Sequence, residues 1–316
     1  MLVLASAALV AGTAAALWAL PGQPLAPVAV AVPPITARPA VVVASPLTSP
    51  AGYVAFVDAV RDPGFDLPGT ARRTGVTAYT LGHLSAGRNG CTPTWGGREP
   101  AALVSQVGRL RAGGGDAGLA FGGPNGDELS ATCADRDRLL AAYQRVIAAY
   151  RPVTLDFEVR DSADPAVTAR RAAVIARLQR EARQQGRPLT ITFTLPVTGT
   201  GLSSDDQAML HRTRAAGAEI GTVNLLIPFQ PGSPRNIHRL LLAARATHQQ
   251  LAWVLETTEQ AGWRHMGVTP LLVAAQDLGL AEARRLARFR AHTQLAWISV
   301  RGATPTDEVA RVLTRG

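Results

Sequence analysis

Residues 153–186 read VTLDFEVRDSADPAVTARRAAVIARLQREARQQG, and this stretch decides the fold. Val153–Val159 is a short β-branched and aromatic run of the kind that sits in a strand. Asp164 then offers a helix N-cap, with Pro165 at the first helical position, where a missing N–H is no loss. Gly186 supplies the stop. Between the two signals Val167, Val174, Ile175 and Leu178 recur at helical spacing and form one apolar stripe. The stretch is therefore one β–α unit.

Working outward, the same alternation recurs. Further strand candidates are Tyr53–Val57, Val76–Gly82, Asp116–Phe121, Leu189–Leu195, Thr222–Ile227, Val268–Val273 and Gln294–Val300, separated by longer runs rich in alanine and arginine. Strict β–α alternation, eight times in roughly 260 residues, predicts an α/β fold in which a parallel sheet closes into a (β/α)8 TIM barrel over 51–316. The competing architecture is a doubly wound open sheet. It would place a glycine-rich phosphate turn after the first strand, where Asp58-Ala59-Val60-Arg61 stands instead.

Composition supports one large core: of 316 residues 47% are hydrophobic and 17% charged, too apolar for a disordered chain. The net charge is +9, and all 32 of the Lys and Arg residues are arginine. The arginines are scattered along candidate helices, as in Arg170, Arg171, Arg177, Arg180 and Arg183, without interleaved aromatics, which argues against a nucleic-acid surface. Residues 1–20 carry no charge, and the first charged residue is Arg38. A run of about 20 apolar residues can cross a bilayer, so 1–20 reads as a signal peptide or a membrane anchor. The Pro/Ala-rich stretch 21–50 reads as an extended linker. Export is the expectation, and Cys91 and Cys133 agree with it. In an oxidising compartment a cysteine pair is most simply a disulfide, the alternative being two buried thiols. No C-x-x-C, H-E-x-x-H, P-loop or G-x-S-x-G occurs, and no metal or cofactor is expected.

In such a barrel, sites lie at the C-terminal ends of the strands. These are Phe121-Gly122-Gly123, Asp156 to Arg160, Leu195-Pro196, Ile227 to Gln230, and Trp297 to Arg301. Gly90-Cys91-Thr92-Pro93-Thr94-Trp95-Gly96-Gly97 and Phe121-Gly122-Gly123-Pro124-Asn125-Gly126-Asp127-Glu128-Leu129 resemble the loops after strands two and three of bacterial glycoside hydrolase family 18 chitinases, in an actinobacterial-type branch. Met266-Gly267-Val268-Thr269-Pro270 is similar to the start of the seventh strand. The resemblance runs from about Tyr53 to Arg301 and implies the barrel, binding of a chitin-type or cell-wall glycan, and a Cys91–Cys133 disulfide.

The segments that carry the family's chemistry depart from it. The fourth strand of the family ends in D-x-D-x-E, whose Glu protonates the glycosidic oxygen while the substrate's N-acetyl group attacks. Here the residues are Asp156-Phe157-Glu158-Val159-Arg160, so arginine stands at the acid position and has no proton to transfer near neutral pH. Residues two apart in a strand point the same way, so Asp156, Glu158 and Arg160 are expected to face inward, with Arg160 nearest the mouth and paired to the carboxylates. As a substitute acid Glu158 would lie ~6–7 Å too deep. On the sixth strand Ile227-Pro228-Phe229-Gln230 lacks the family's carboxylate and tyrosine, leaving Gln230 as a candidate hydrogen-bonder. On the eighth, the sugar-stacking tryptophan corresponds either to Trp297 or, one residue on, to Ile298.

Candidate binding residues are thus Asp156, Glu158, Arg160, Gln230, Trp297 and Asn125. The expectation is a catalytically silent, exported barrel that binds glycan or a protein partner. Held against it are an active glycosidase using Glu158, Asp127, Glu128 or Asp161, and a structural surface domain without a ligand.

Overall fold

The computed structural model describes residues 52–97, 101–187 and 189–316. The expected leader 1–20 and linker 21–50 lie outside the described residues. Eight parallel strands make the barrel: β1 Gly52–Asp58, β2 Ala78–Ala86, β3 Asp116–Gly122, β4 Thr154–Glu158, β5 Thr190–Pro196, β6 Thr222–Pro228, β7 Met266–Leu272, and β8 in two pieces, Trp297–Ile298 and Arg301–Gly302. Each pairs with the next, and β1 pairs with both β2 and β8, which closes the sheet. The doubly wound alternative is thereby excluded.

A helix follows every strand: α1 Leu67–Thr74, α2 Ala101–Ala112, α3 Arg136–Tyr150, α4 Pro165–Gln184, α5 Ser204–Ala215, α6 Asn236–Val254, α7 Leu280–Thr293 and α8 Asp307–Arg315. The punctuation read in α4 is present. Asp164 accepts from the amides of Ala166 and Val167, Pro165 opens the helix, and Gly186 lies just beyond its end with φ 66°. Val167, Val174, Ile175 and Leu178 are buried. The expected boundaries move by two residues or more in three places: β7 begins at Met266 rather than Val268, and the other two are in β2 and β8. β2 begins at Ala78 rather than Val76 and runs on to Ala86, and β8 is interrupted where an unbroken strand was expected.

Strand alternation separates two interiors. Phe121, Phe157 and Phe193 are adjacent in register and point out of the barrel, where their rings pack together and, for Phe121 and Phe157, edge-on against Tyr143 of α3. The intervening residues point into the lumen, and there the sequence is polar: Asp156, Glu158, Thr194, Asn224, Thr269 and Arg301 are all buried. Buried polar atoms must find partners. How these do so defines the site.

Cys91 and Cys133 form the expected disulfide, with Cα atoms 4.8 Å apart. It ties the loop after β2 to the short helix Leu129–Thr132 that follows β3.

Candidate active site at the barrel mouth

Asp156 and Glu158 project from β4 into the lumen, as their spacing requires, and are 2% and 8% exposed. The cation between them comes from the other side of the barrel. Arg301 on β8 donates one guanidinium nitrogen to Glu158 and the other to Asp156, and the latter also lies 3.2 Å from the Thr194 hydroxyl. The guanidinium carbon sits 4.2 Å from the centroid of the Phe56 ring, in cation–π range. His83 completes the crown. Its Nε2 is 3.0 Å from Glu158 Oε2, and its Nδ1 is 3.9 Å from Asp58 Oδ2.

Below the crown the polar groups are linked in series. The Thr194 hydroxyl donates to Asp156 at 2.8 Å, Asn224 Nδ2 donates to Thr194 at 3.0 Å, and the Thr269 hydroxyl donates to Asn224 Oδ1 at 2.7 Å. Four strands thus satisfy one another's buried side chains across the lumen.

The electrostatics follow from this geometry. Burial pushes the Glu158 carboxyl up, but Arg301, the His83 hydrogen bond and charge, and finally Arg160 outweigh it and hold the pKa at about 2. Asp156 lies deeper. Burial raises it, and Arg301 and Thr194 offset only part of that rise.

Arg160 corrects the expected ladder. It lies past the end of β4, exposed to solvent, and the interior partner of the two carboxylates is Arg301. The reason is strand length: β4 stops at Glu158, so the alternation does not carry to residue 160. Arg160 lines a cleft of ≈ 400 Å³ with Glu158, Ser162, Pro196, Ser203, Asp205, Asp206 and Leu226. A second cavity of ≈ 280 Å³ opens between β1 and β8 and includes Phe56, Asp58, Asp62 and Phe65.

The other candidates are dispersed. Trp297 faces the lumen at its opposite end, where it lines a cavity of ≈ 110 Å³ with Val54, Ala78, Gly118, Thr154 and Asp156. Ile298 is fully buried. Neither puts an aromatic at the mouth, so a sugar floor on β8 is not present; the aromatic nearest the crown is Phe56. Gln230 is exposed, and its backbone N–H and carbonyl are both bound by the Asn236 side chain. Asn125 and Asp127 are exposed on the loop after β3. Glu128 and Asp161 are taken up by Arg171 in a separate buried cluster.

Arg301, His83, Asp58, Phe56, Thr194, Asn224 and Thr269 were not among the sequence candidates. A signal for Arg301 existed, because Trp297, Ser299 and Arg301 are two apart and share a face. None existed for His83, which is brought inward where the β2–β3 register shifts between Leu81 and Leu84.

Comparisons with known proteins agree with this architecture. No protein-family model matches the chain. A probable bifunctional chitinase/lysozyme of Escherichia coli (strain K12) is 32% identical over 180 residues, 55% of this chain and 20% of that protein. Endochitinase 11 of Metarhizium anisopliae is 29% identical over 177 residues, 55% of this chain and 34% of that protein. The chain thus spans about a third or less of the length of these relatives. Among solved structures, a thermostable Pyrococcus furiosus chitinase domain complexed with chito-oligosaccharides superposes with a TM-score of 0.73 at 21% identity, covering 86% of this chain and 97% of that one. The chain thus has the barrel fold of these chitinase structures, and over 55% of its length its sequence is similar to that of chitinases.

Proposed function

We propose that this is an exported barrel that does not hydrolyse chitin and that binds a chitin-type or cell-wall glycan at its mouth. The observation that carries the reading is the state of Glu158. It is the lumen-facing carboxylate two residues before the acid position, it is clamped by Arg301 and His83, and its pKa is held at about 2. A general acid must be protonated when it acts, so its pKa has to be raised towards working pH rather than lowered. At the acid position itself stands Arg160, which has no transferable proton. Loss of general acid catalysis alone removes about 10²–10⁴-fold in rate. The clefts of ≈ 400 Å³ and ≈ 280 Å³ beside the crown leave room for saccharide rings without chemistry. Export is supported by the uncharged leader, the proline-rich linker and the disulfide.

The test is turnover of chito-oligosaccharides by the purified chain beside Glu158→Gln and Arg160→Glu, with calorimetric binding of the same sugars. Binding without turnover is expected, as is no rescue in Arg160→Glu, since the sixth and eighth strands have changed too. Clear turnover by the wild type that vanishes in Glu158→Gln would overturn the silent reading.

A further inference from the structure

The cleft around Arg160 holds an unequal set of charges. Its charged lining groups are Glu158, Arg160, Asp205 and Asp206, and all but one are accounted for within the fold. Glu158 is bound by Arg301 and His83. Asp206 is buried and receives the hydroxyls of Ser162 at 2.7 Å and Ser203 at 2.6 Å. Asp205 is exposed in the first turn of α5, where a carboxylate balances the positive end of the helix. Arg160 is exposed, and no hydrogen bond or ion pair among the described residues holds its guanidinium. The N-terminal end of α5, capped by Ser203, opens on the same cleft, with its positive end already met by Asp205 and Asp206. Pro196 and Leu226 form its apolar wall, and Ser162 and Ser203 offer hydroxyl oxygens to a sugar.

We infer that Arg160 makes this mouth selective for an acidic saccharide, one bearing a carboxylate on or beside the ring, over a neutral chito-oligosaccharide. The inference rests on the glycan-binding reading above. A guanidinium presents a planar fork that matches a carboxylate with two parallel hydrogen bonds and has no comparable partner on a neutral pyranose. The replacement that removes the catalytic proton thus supplies a specificity determinant in its place.

The experiment titrates the full chain with a hyaluronan tetrasaccharide, in which N-acetylglucosamine alternates with glucuronate, and with chitotetraose. The acidic sugar should bind about tenfold more tightly at low salt, and the preference should shrink as ionic strength rises. Arg160→Ala should abolish it. Asp205→Asn, which removes the opposing exposed carboxylate, should enlarge it. Arg180→Ala, an exposed arginine of α4, should leave it intact, which separates a site from attraction to a chain of net charge +9. Equal affinities, a preference that survives Arg160→Ala, or one lost equally in Arg180→Ala overturns the inference. If chitotetraose binds as well as the acidic sugar, only this inference falls. If neither sugar binds, the glycan-binding reading falls with it.

Discussion

Two buried arginines in this barrel each bridge two carboxylates, and they differ in what surrounds them. Arg171 on α4 binds Glu128 at 3.0 Å and also Asp161, and Glu128 in turn accepts from Tyr143 of α3 and from the Ser130 amide. Arg301 on β8 binds Asp156 and Glu158 in the lumen. The chemistry is the same. Access is not: around Arg171, itself 1% exposed, Glu128 is sealed at 1% and Asp161 reaches the surface at 19%, whereas around Arg301, at 5%, Asp156 is sealed at 2% and Glu158, at 10%, forms part of the wall of an open cleft. An arginine–carboxylate triad is therefore no mark of a site in itself. In one place it locks the loop after β3 onto α4; in the other it closes the place where a ligand would meet the carboxylates.

The largest expected effect tests that distinction. Arg171→Ala strands two carboxylates, one of them wholly enclosed, and should destabilise the fold by ~5 kcal/mol, the upper end for breaking a buried pair. Arg171→Met, which keeps the volume but not the charge, leaves the same carboxylates bare and should still lose several kcal/mol. In Arg301→Ala, water entering from the cleft can solvate Glu158, and Asp156, whose pKa burial already raises, can take up a proton, so the loss in urea denaturation should be smaller. Were Arg301→Ala the more damaging of the two, access would not be what separates the clusters.

Next comes the staple on the enclosed cluster. Cys133 directly follows the turn Leu129–Thr132, whose Ser130 binds Glu128, and its bond to Cys91 closes a sequence separation of 42. For a loop of that size the chain-entropy argument gives about 4 kcal/mol. Cys91→Ser with Cys133→Ser should lower the melting temperature accordingly and speed amide exchange at Ser130 more than in β4. Equal acceleration in both would mean that the disulfide steadies the barrel as a whole rather than this loop.

The open cluster should show itself in acid. Glu158 has a folded pKa of about 2 against an ordinary 4.5. A depressed carboxylate contributes stability that is present above its unfolded pKa and is lost as pH falls through the folded one. That contribution is ~3 kcal/mol, fading between pH 4.5 and about 2. Asp156, raised by burial, acts with the opposite sign and offsets part of it. Arg301→Ala should flatten this acid limb. An unchanged limb in that variant would show that Arg301 is not what holds Glu158 ionised.

The fold was legible in the sequence because its signals are local. Asp164, Pro165 and Gly186 delimit α4 by rules that act within a turn, and β–α alternation leaves few topologies open. The lumen was legible only in part. Alternation put Asp156 and Glu158 inside because β4 includes both, but it failed for Arg160, since a strand's last residue is set by its neighbours' hydrogen bonds and not by its own composition. Arg301 was hidden for a related reason: Arg301 and Glu158 are 143 residues apart, and only closure of the barrel makes them opposite. Trp297 drew attention as an aromatic in the right strand, yet depth along a strand depends on register, which composition does not fix.

The smallest effect probes the far end of the polar series. Thr269 is fully buried, and its hydroxyl donates to Asn224 Oδ1 at 2.7 Å. Thr269→Val keeps the shape but removes that donor, leaving a buried acceptor unpaired; the better packing of a methyl offsets part of the loss, so ~1 kcal/mol is expected. Asn224 still donates to Thr194, and Thr194 to Asp156, so the crown at Arg301 should keep its geometry and glycan affinity should not move. A loss of several kcal/mol, or a several-fold change in affinity, would mean that the series behaves as one cooperative unit from β7 to the mouth. The open cluster would then depend on its scaffold as closely as the enclosed one does, and the contrast between Arg301 and Arg171 would reduce to exposure alone.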